Sequence, residues 1–156
     1  MPRRLLAGVV AVCLICVGTA GAEVITHSGS GLQFELPDNW TYEQDGDLLT
    51  ASSRSEDVVL FFFVSQRSDA EEFIDALADE LDAFLHDAEV TQDATQEEVN
   101  GLSQIYVEGT GTRDGEPVDW DLTLVIGGRR ALAIVAVGDI ASNQDTVHAI
   151  YGSVSR

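Results

Sequence analysis

The sequence predicts an α+β domain: an antiparallel β-sheet meander flanked by a long central helix and a short C-terminal helix. Three observations carry this. The dipeptides Asn100-Gly101, Asp114-Gly115 and Gly127-Gly128 fall 14 and 13 residues apart and are of the kind that supplies the positive φ of hairpin turns. The run VVLFFFV, Val58 to Val64, is apolar on both faces, so its sheet must be covered on both sides. Between these regions, Ala70, Phe73, Ile74, Leu77, Leu81, Phe84, Leu85 and Ala88 recur at helical spacing and can form one of the covers.

The chain opens on Met1-Pro2-Arg3-Arg4, runs apolar from Leu5 to Val17, and reaches Ala20-Gly21-Ala22 before its first acidic residue. This is the pattern of a secretory signal peptide spanning residues 1–22, cleaved after Ala22. The apolar run is shorter than the roughly 20 residues that cross a bilayer. A lipid anchor needs a small residue before its cysteine, whereas Cys13 follows Val12 and Cys16 follows Ile15. Both cysteines lie in this segment, so residues 23–156, a single expected domain of 134 residues, have no disulfide, thiol nucleophile or cysteine metal site.

From there the elements follow in order. Gln33 to Leu36 reads as a strand, and Trp40 to Glu43 and Leu48 to Ser53 as a hairpin about Asp45-Gly46. After Val58 to Val64, Ser68 and Glu71 form a capping box that opens a helix expected to reach Asp87. Thr95 to Val99, Leu102 to Thr112, Pro117 to Ile126 and Ala131 to Val137 make the meander. Its third strand carries Val118, Trp120, Leu122, Leu124 and Ile126 on one face. Ser142 is placed to cap a last helix with Val147, Ile150, Tyr151 and Val154 on one stripe.

The stretches LQFELPDNW (Leu32 to Trp40), DGEPVDW (Asp114 to Trp120) and HAIYGSVSR (His148 to Arg156), with this order of elements, resemble the PsbP-like fold. That fold is shared by the photosystem subunit PsbP, Mog-type proteins and DcrB-like bacterial envelope proteins. The resemblance implies an antiparallel sheet between helices and a binding or assembly role without a shared catalytic motif. It also implies a structural role for Trp40, which follows the proline that ends the first strand.

Charge narrows the partners. The chain holds 27 acidic residues against eight arginines and no lysine; from Glu23 onward the balance is six arginines to 27 acids, a net charge of −21. Nucleic acids and anionic membrane surfaces, which recruit clustered Lys and Arg, are thereby disfavoured. The acidity reads as a solvated surface, with calcium or a basic partner as the sharper alternative.

Chemical motifs are sparse. His27, His86 and His148 sit in separate elements without the spacing of a metal site, and each reads as a surface or core-edge residue. Asp119 and Asp121 flank Trp120 and share one strand face, which makes them the candidates for a metal or for acid–base work. The plainer expectation is that they form the solvent-facing side of their strand. GTGTRDG from Gly109 lacks the helix a phosphate cradle requires, and Gly109 and Gly111 instead leave one strand face bare. Arg129 and Arg130, after the Gly-Gly turn, are expected to be exposed. No catalytic residue and no cofactor are expected. The first functional reading is a periplasmic or secreted non-catalytic accessory protein that binds another protein of the cell envelope. The second is a carrier of a small apolar ligand walled by VVLFFFV, Phe73 and Phe84; the third is a metal-dependent enzyme at Asp119 and Asp121.

Overall fold

The computed structural model describes residues 21–156 apart from 68, so the expected leader lies almost wholly outside the described residues. Among the described residues ten strands and three helices follow Ala22. A short hairpin of β1 (Glu23–Thr26) and β2 (Gln33–Leu36) precedes β3 (Thr41–Asp45), β4 (Leu48–Ser52) and β5 (Val58–Val64). Then come α1 (Ala70–Asp75), α2 (Leu77–Leu81), β6 (His86–Val90), β7 (Thr95–Val99), β8 (Leu102–Arg113), β9 (Glu116–Ile126), β10 (Leu132–Gly138) and α3 (Ile140–Gly152).

Eight strands form one sheet in the order β3-β4-β5-β10-β9-β8-β6, paired antiparallel throughout. β7 also pairs with β8, so β6 and β7 share its outer edge end to end. The turns Asn100-Gly101 and Asp114-Gly115 hold positive φ at both positions, as their residue types require. The β3–β4 turn lies at Gly46-Asp47, one residue later than expected, because Asp45 pairs with Leu48.

Alternation along β5 and β10 divides the core into two layers. Leu60, Phe62, Ile134 and Ala136 face α3 and the β1–β2 hairpin, where Phe34 stacks on Phe62 with ring centroids 4.1 Å apart. Phe61, Ala133 and Val135 face α1 and α2 together with Trp120, Leu122 and Leu124. Both faces of the apolar strand are covered, as its composition demands. Trp40 is buried in the first layer, its N–H donating to Pro37 O at 2.9 Å.

The expected long helix is corrected to two short ones followed by a strand. Ala76 leaves helical geometry at φ −102°, ψ 12°, between α1 and α2. The stripe Phe73, Leu77, Leu81 nevertheless stays buried across the break. Acids fill this segment and no basic residue stands in the last turn of either piece, so nothing offsets the negative end of the helix dipole. Beyond it, residues 86–90 find a better partner in the thin edge of β8. A Cβ on Gly109 would lie 2.0 Å from Glu89 O, and one on Gly111 2.6 Å from Leu85 Cδ1. The face that looked bare is therefore filled by this segment and by Trp120. Ser68 falls outside the described residues; the cap of α1 is Asp69, whose carboxylate accepts from the N–H groups of Glu71 and Glu72. At α3 the cap is Asp139, which accepts from Ser142 N, and not Ser142 itself.

Candidate functional site

The site grows from the register of β7, β8 and β9. Side chains on the face toward α3 line up as Thr95, Tyr106 and Thr123 in one row, Glu97 and Gln104 in the next, and Glu108 with Asp121 on the other side. α3 covers only part of this face, and its C-terminal end is tied down from below. Gln104 Nε2 donates to Tyr151 O, and Asn100 Nδ2 donates to both Gly152 O and Val154 O, each at 2.9 Å. The bond to Gly152 O satisfies a carbonyl that the helix end leaves without a backbone partner, and the bond to Tyr151 O adds a second donor to one already bonded by Val154 N. These bonds also fix Tyr151 and His148 over β8 and β9.

Asp121 lies at the centre, 1 % exposed. Its Oδ1 accepts from the Tyr151 hydroxyl, and its Oδ2 lies 3.2 Å from the Tyr106 hydroxyl and 4.0 Å from His148 Nε2. The Tyr106 hydroxyl is also 3.1 Å from Glu108 Oε2, so one phenolic proton serves two carboxylates. Burial pushes the Asp121 carboxyl up to about 6, against the lowering effect of the two tyrosine hydrogen bonds and of His148. Burial, then the nearby Asp121 charge, likewise raises both phenols above their ordinary value.

Beside this cluster, between β7 and the C-terminal end of α3, is a cleft of about 280 Å³. Tyr106, Tyr151 and His148 line it with ring centroids 5.5 to 6.5 Å apart. Thr123 lines it too, and its buried hydroxyl has no hydrogen-bond partner among the described residues. Across Tyr106 a second depression of about 260 Å³ reaches Glu108, Asp119 and Asp121.

Asp119 and Asp121 do share a face, but the expectation that both meet solvent is corrected. α3 reaches over Asp121 and stops short of Asp119, which stays exposed. Among the described residues no group of three or more His, Cys, Asp or Glu is placed to hold a metal ion. Asp121 itself is 1 % exposed, with Oδ1 held by the Tyr151 hydroxyl and Oδ2 by the Tyr106 hydroxyl. His148 joins the cluster, whereas His86 is exposed beside Asp82, 3.2 Å away. His27 is buried at the core edge. Its Nε2 donates to Asp47 O at 2.8 Å, and burial lowers its basicity. Arg129 and Arg130 are exposed, with Arg129 donating to Ser28 O and Arg130 paired to Asp47. Ala22, the expected cleavage residue, lies exposed just before β1. Tyr106, Thr123 and Gln104 escaped the sequence reading, and Tyr151 was read only as helix core. A period-2 count back from Glu108 puts Tyr106 and Gln104 on one face, the one local signal that joins them.

With this geometry in view, comparison with solved structures decides the fold. The solution structure of cyanobacterial PsbP (CyanoP) from Synechocystis matches with a TM-score of 0.64, over 89% of this chain and 94% of that one, at 12% identity. The chain has a PsbP-like fold. A Bacteroides thetaiotaomicron structure matches at a TM-score of 0.53 and 12% identity, over 79% of this chain and 44% of that longer one. A Pseudomonas aeruginosa protein of unknown function matches at 0.50 and 10% identity, over 84% and 94%. No protein-family model matches the chain, and no curated protein does. At these identities the PsbP-like likeness is one of fold, and it carries the mixed α+β architecture with its antiparallel sheet and few helices.

Proposed function

We propose that this chain is an exported, non-catalytic accessory protein that binds another protein of the cell envelope through the cleft beside α3. The observation that supports it is the distribution of unspent surface. Apolar side chains fill both layers between sheet and helices. Phe73 is fully buried and the partly buried Phe84 stacks on Phe61 at 4.4 Å, so among the described residues no enclosed apolar cavity is left between these walls expected of a carrier. The cleft, by contrast, presents aromatic rings and a polar group without a partner, the combination from which binding pockets are built. Export rests on the leader read in residues 1–22, and binding is favoured over turnover because both Asp121 oxygens are engaged by the Tyr106 and Tyr151 hydroxyls.

The test is crosslinking in the native envelope followed by capture, with wild type and a Tyr106→Ala variant compared at equal folded amounts. A specific partner recovered with wild type and lost with the variant is the expected result. A partner retained in full by the variant overturns the assignment of the cleft. Intact mass of the captured protein should correspond to a chain starting at Glu23, and a retained leader would overturn the claim of cleavage.

A further inference from the structure

We infer that the cleft beside α3 takes the protonated side chain of a lysine or arginine from the partner, a step that rests on the binding role proposed above. The chemistry of the lining selects the charge. Glu97 is the carboxylate of the wall, and Asp121 lies directly behind the Tyr106 and Tyr151 hydroxyls. The adjoining depression adds Glu108 and Asp119. Among the described residues no arginine lines either depression, and His148 is the one basic group present. An anion would meet carboxylates there with little to offset them.

The aromatic wall selects the shape. Cations are drawn to ring faces within about 6 Å of the centroid, and more strongly where water is excluded. Tyr106, Tyr151 and His148 stand with ring centroids 5.5 to 6.5 Å apart along one side of the cleft, so a cation lodged among them has more than one ring within reach. Both phenol oxygens are anchored at Asp121, so their rings are held in place before any ligand arrives. The unpartnered Thr123 hydroxyl gives an N–H donor an acceptor it otherwise lacks. A volume of about 280 Å³ suits one long basic side chain. The surrounding charge of −21 would raise the local concentration of such groups without fixing their position.

The probes are n-butylguanidinium, which carries the head group of arginine, and N-butylurea, its neutral isostere. Each is titrated into the purified protein at about 0.15 M sodium chloride, where screening suppresses interactions beyond about 8 Å. Chemical shifts of Tyr106, Thr123, His148 and Tyr151 are followed. Butylguanidinium should give saturable shifts confined to these residues, with butylurea at least about tenfold weaker, as a desolvated cation–aromatic contact plus a carboxylate implies. Glu97→Gln, at an exposed position of β7, should weaken butylguanidinium severalfold; Asp121→Asn should weaken it further. Equal affinity for the two probes, or shifts spread over the acidic surface without saturation, overturns the inference. Localised guanidinium binding by a protein that captures no partner would leave this site chemistry standing and defeat the proposed accessory role. A captured partner whose crosslink through the cleft survives saturating butylguanidinium would do the reverse.

Discussion

Asp121 holds its proton more tightly in the folded chain than in the unfolded one, because burial raises it from the ordinary 3.8 to about 6. Between about pH 4 and pH 6 the native state therefore binds more protons, and the contribution of this residue to stability falls as pH rises through that window. The cost is absent below it and complete above it, worth roughly 3 kcal/mol at about 1.4 kcal/mol for each tenfold change in proton affinity. Since many other carboxylates titrate nearby, the measurement is a difference. Denaturant unfolding of wild type and Asp121→Asn across pH should show wild type losing up to about 3 kcal/mol relative to the variant between pH 4 and pH 6. A flat difference would mean that the carboxylate keeps its water. The sequence pointed to Asp121 through its spacing from Asp119, yet it hid the environment. Tyr106 and Tyr151 reach Asp121 from residues 15 and 30 positions away, and only the closed sheet under α3 brings them together. Trp40 was more legible, since Pro37 in the same turn announces its place.

At the scale of elements, hairpins were readable and the helical segment was not. Asn100-Gly101 and Asp114-Gly115 encode their own backbone, so local chemistry suffices. The stripe Phe73, Leu77, Leu81 has the same spacing in one helix or in two, and the fate of residues 86–90 depends on an edge of β8 remote in sequence. Gly109 makes that edge approachable. Its φ is not in the left-handed region, so its role is space rather than conformational freedom, and Gly109→Ala tests space alone. Inserting a methyl against Glu89 O and Trp120 should destabilise the fold by about 1 to 3 kcal/mol, the usual range for overpacking. Amide exchange should accelerate first across β6 and only later in β4 and β5. An unchanged melting temperature would show that β6 can shift without loss, and that the glycine is incidental.

For the whole molecule, the dominant fact is its charge. From Glu23 onward the chain carries −21, and folding gathers that charge into a small volume. Salt shortens the reach of the repulsion from about 10 Å at 0.1 M to about 3 Å at 1 M. The melting temperature should accordingly climb with sodium chloride, with no extra gain from calcium at matched ionic strength. A saturating rise at millimolar calcium, abolished in the Asp119→Asn, Asp121→Asn double variant, would instead make those residues a metal site, in the form expected when a ligand binds only the native state.

The position of β10 bears on when the molecule can form at all. It follows every one of its sheet partners in the chain, yet it sits between β5 and β9 and joins β3-β4-β5 to β9-β8-β6. Until residue 138 has been synthesised the two halves share no ladder, and each is a ribbon with bare apolar faces. Such non-local pairing is slow to close. Closure of the sheet therefore waits on its last strand, and β5 and β9 stay without their shared partner until that strand arrives.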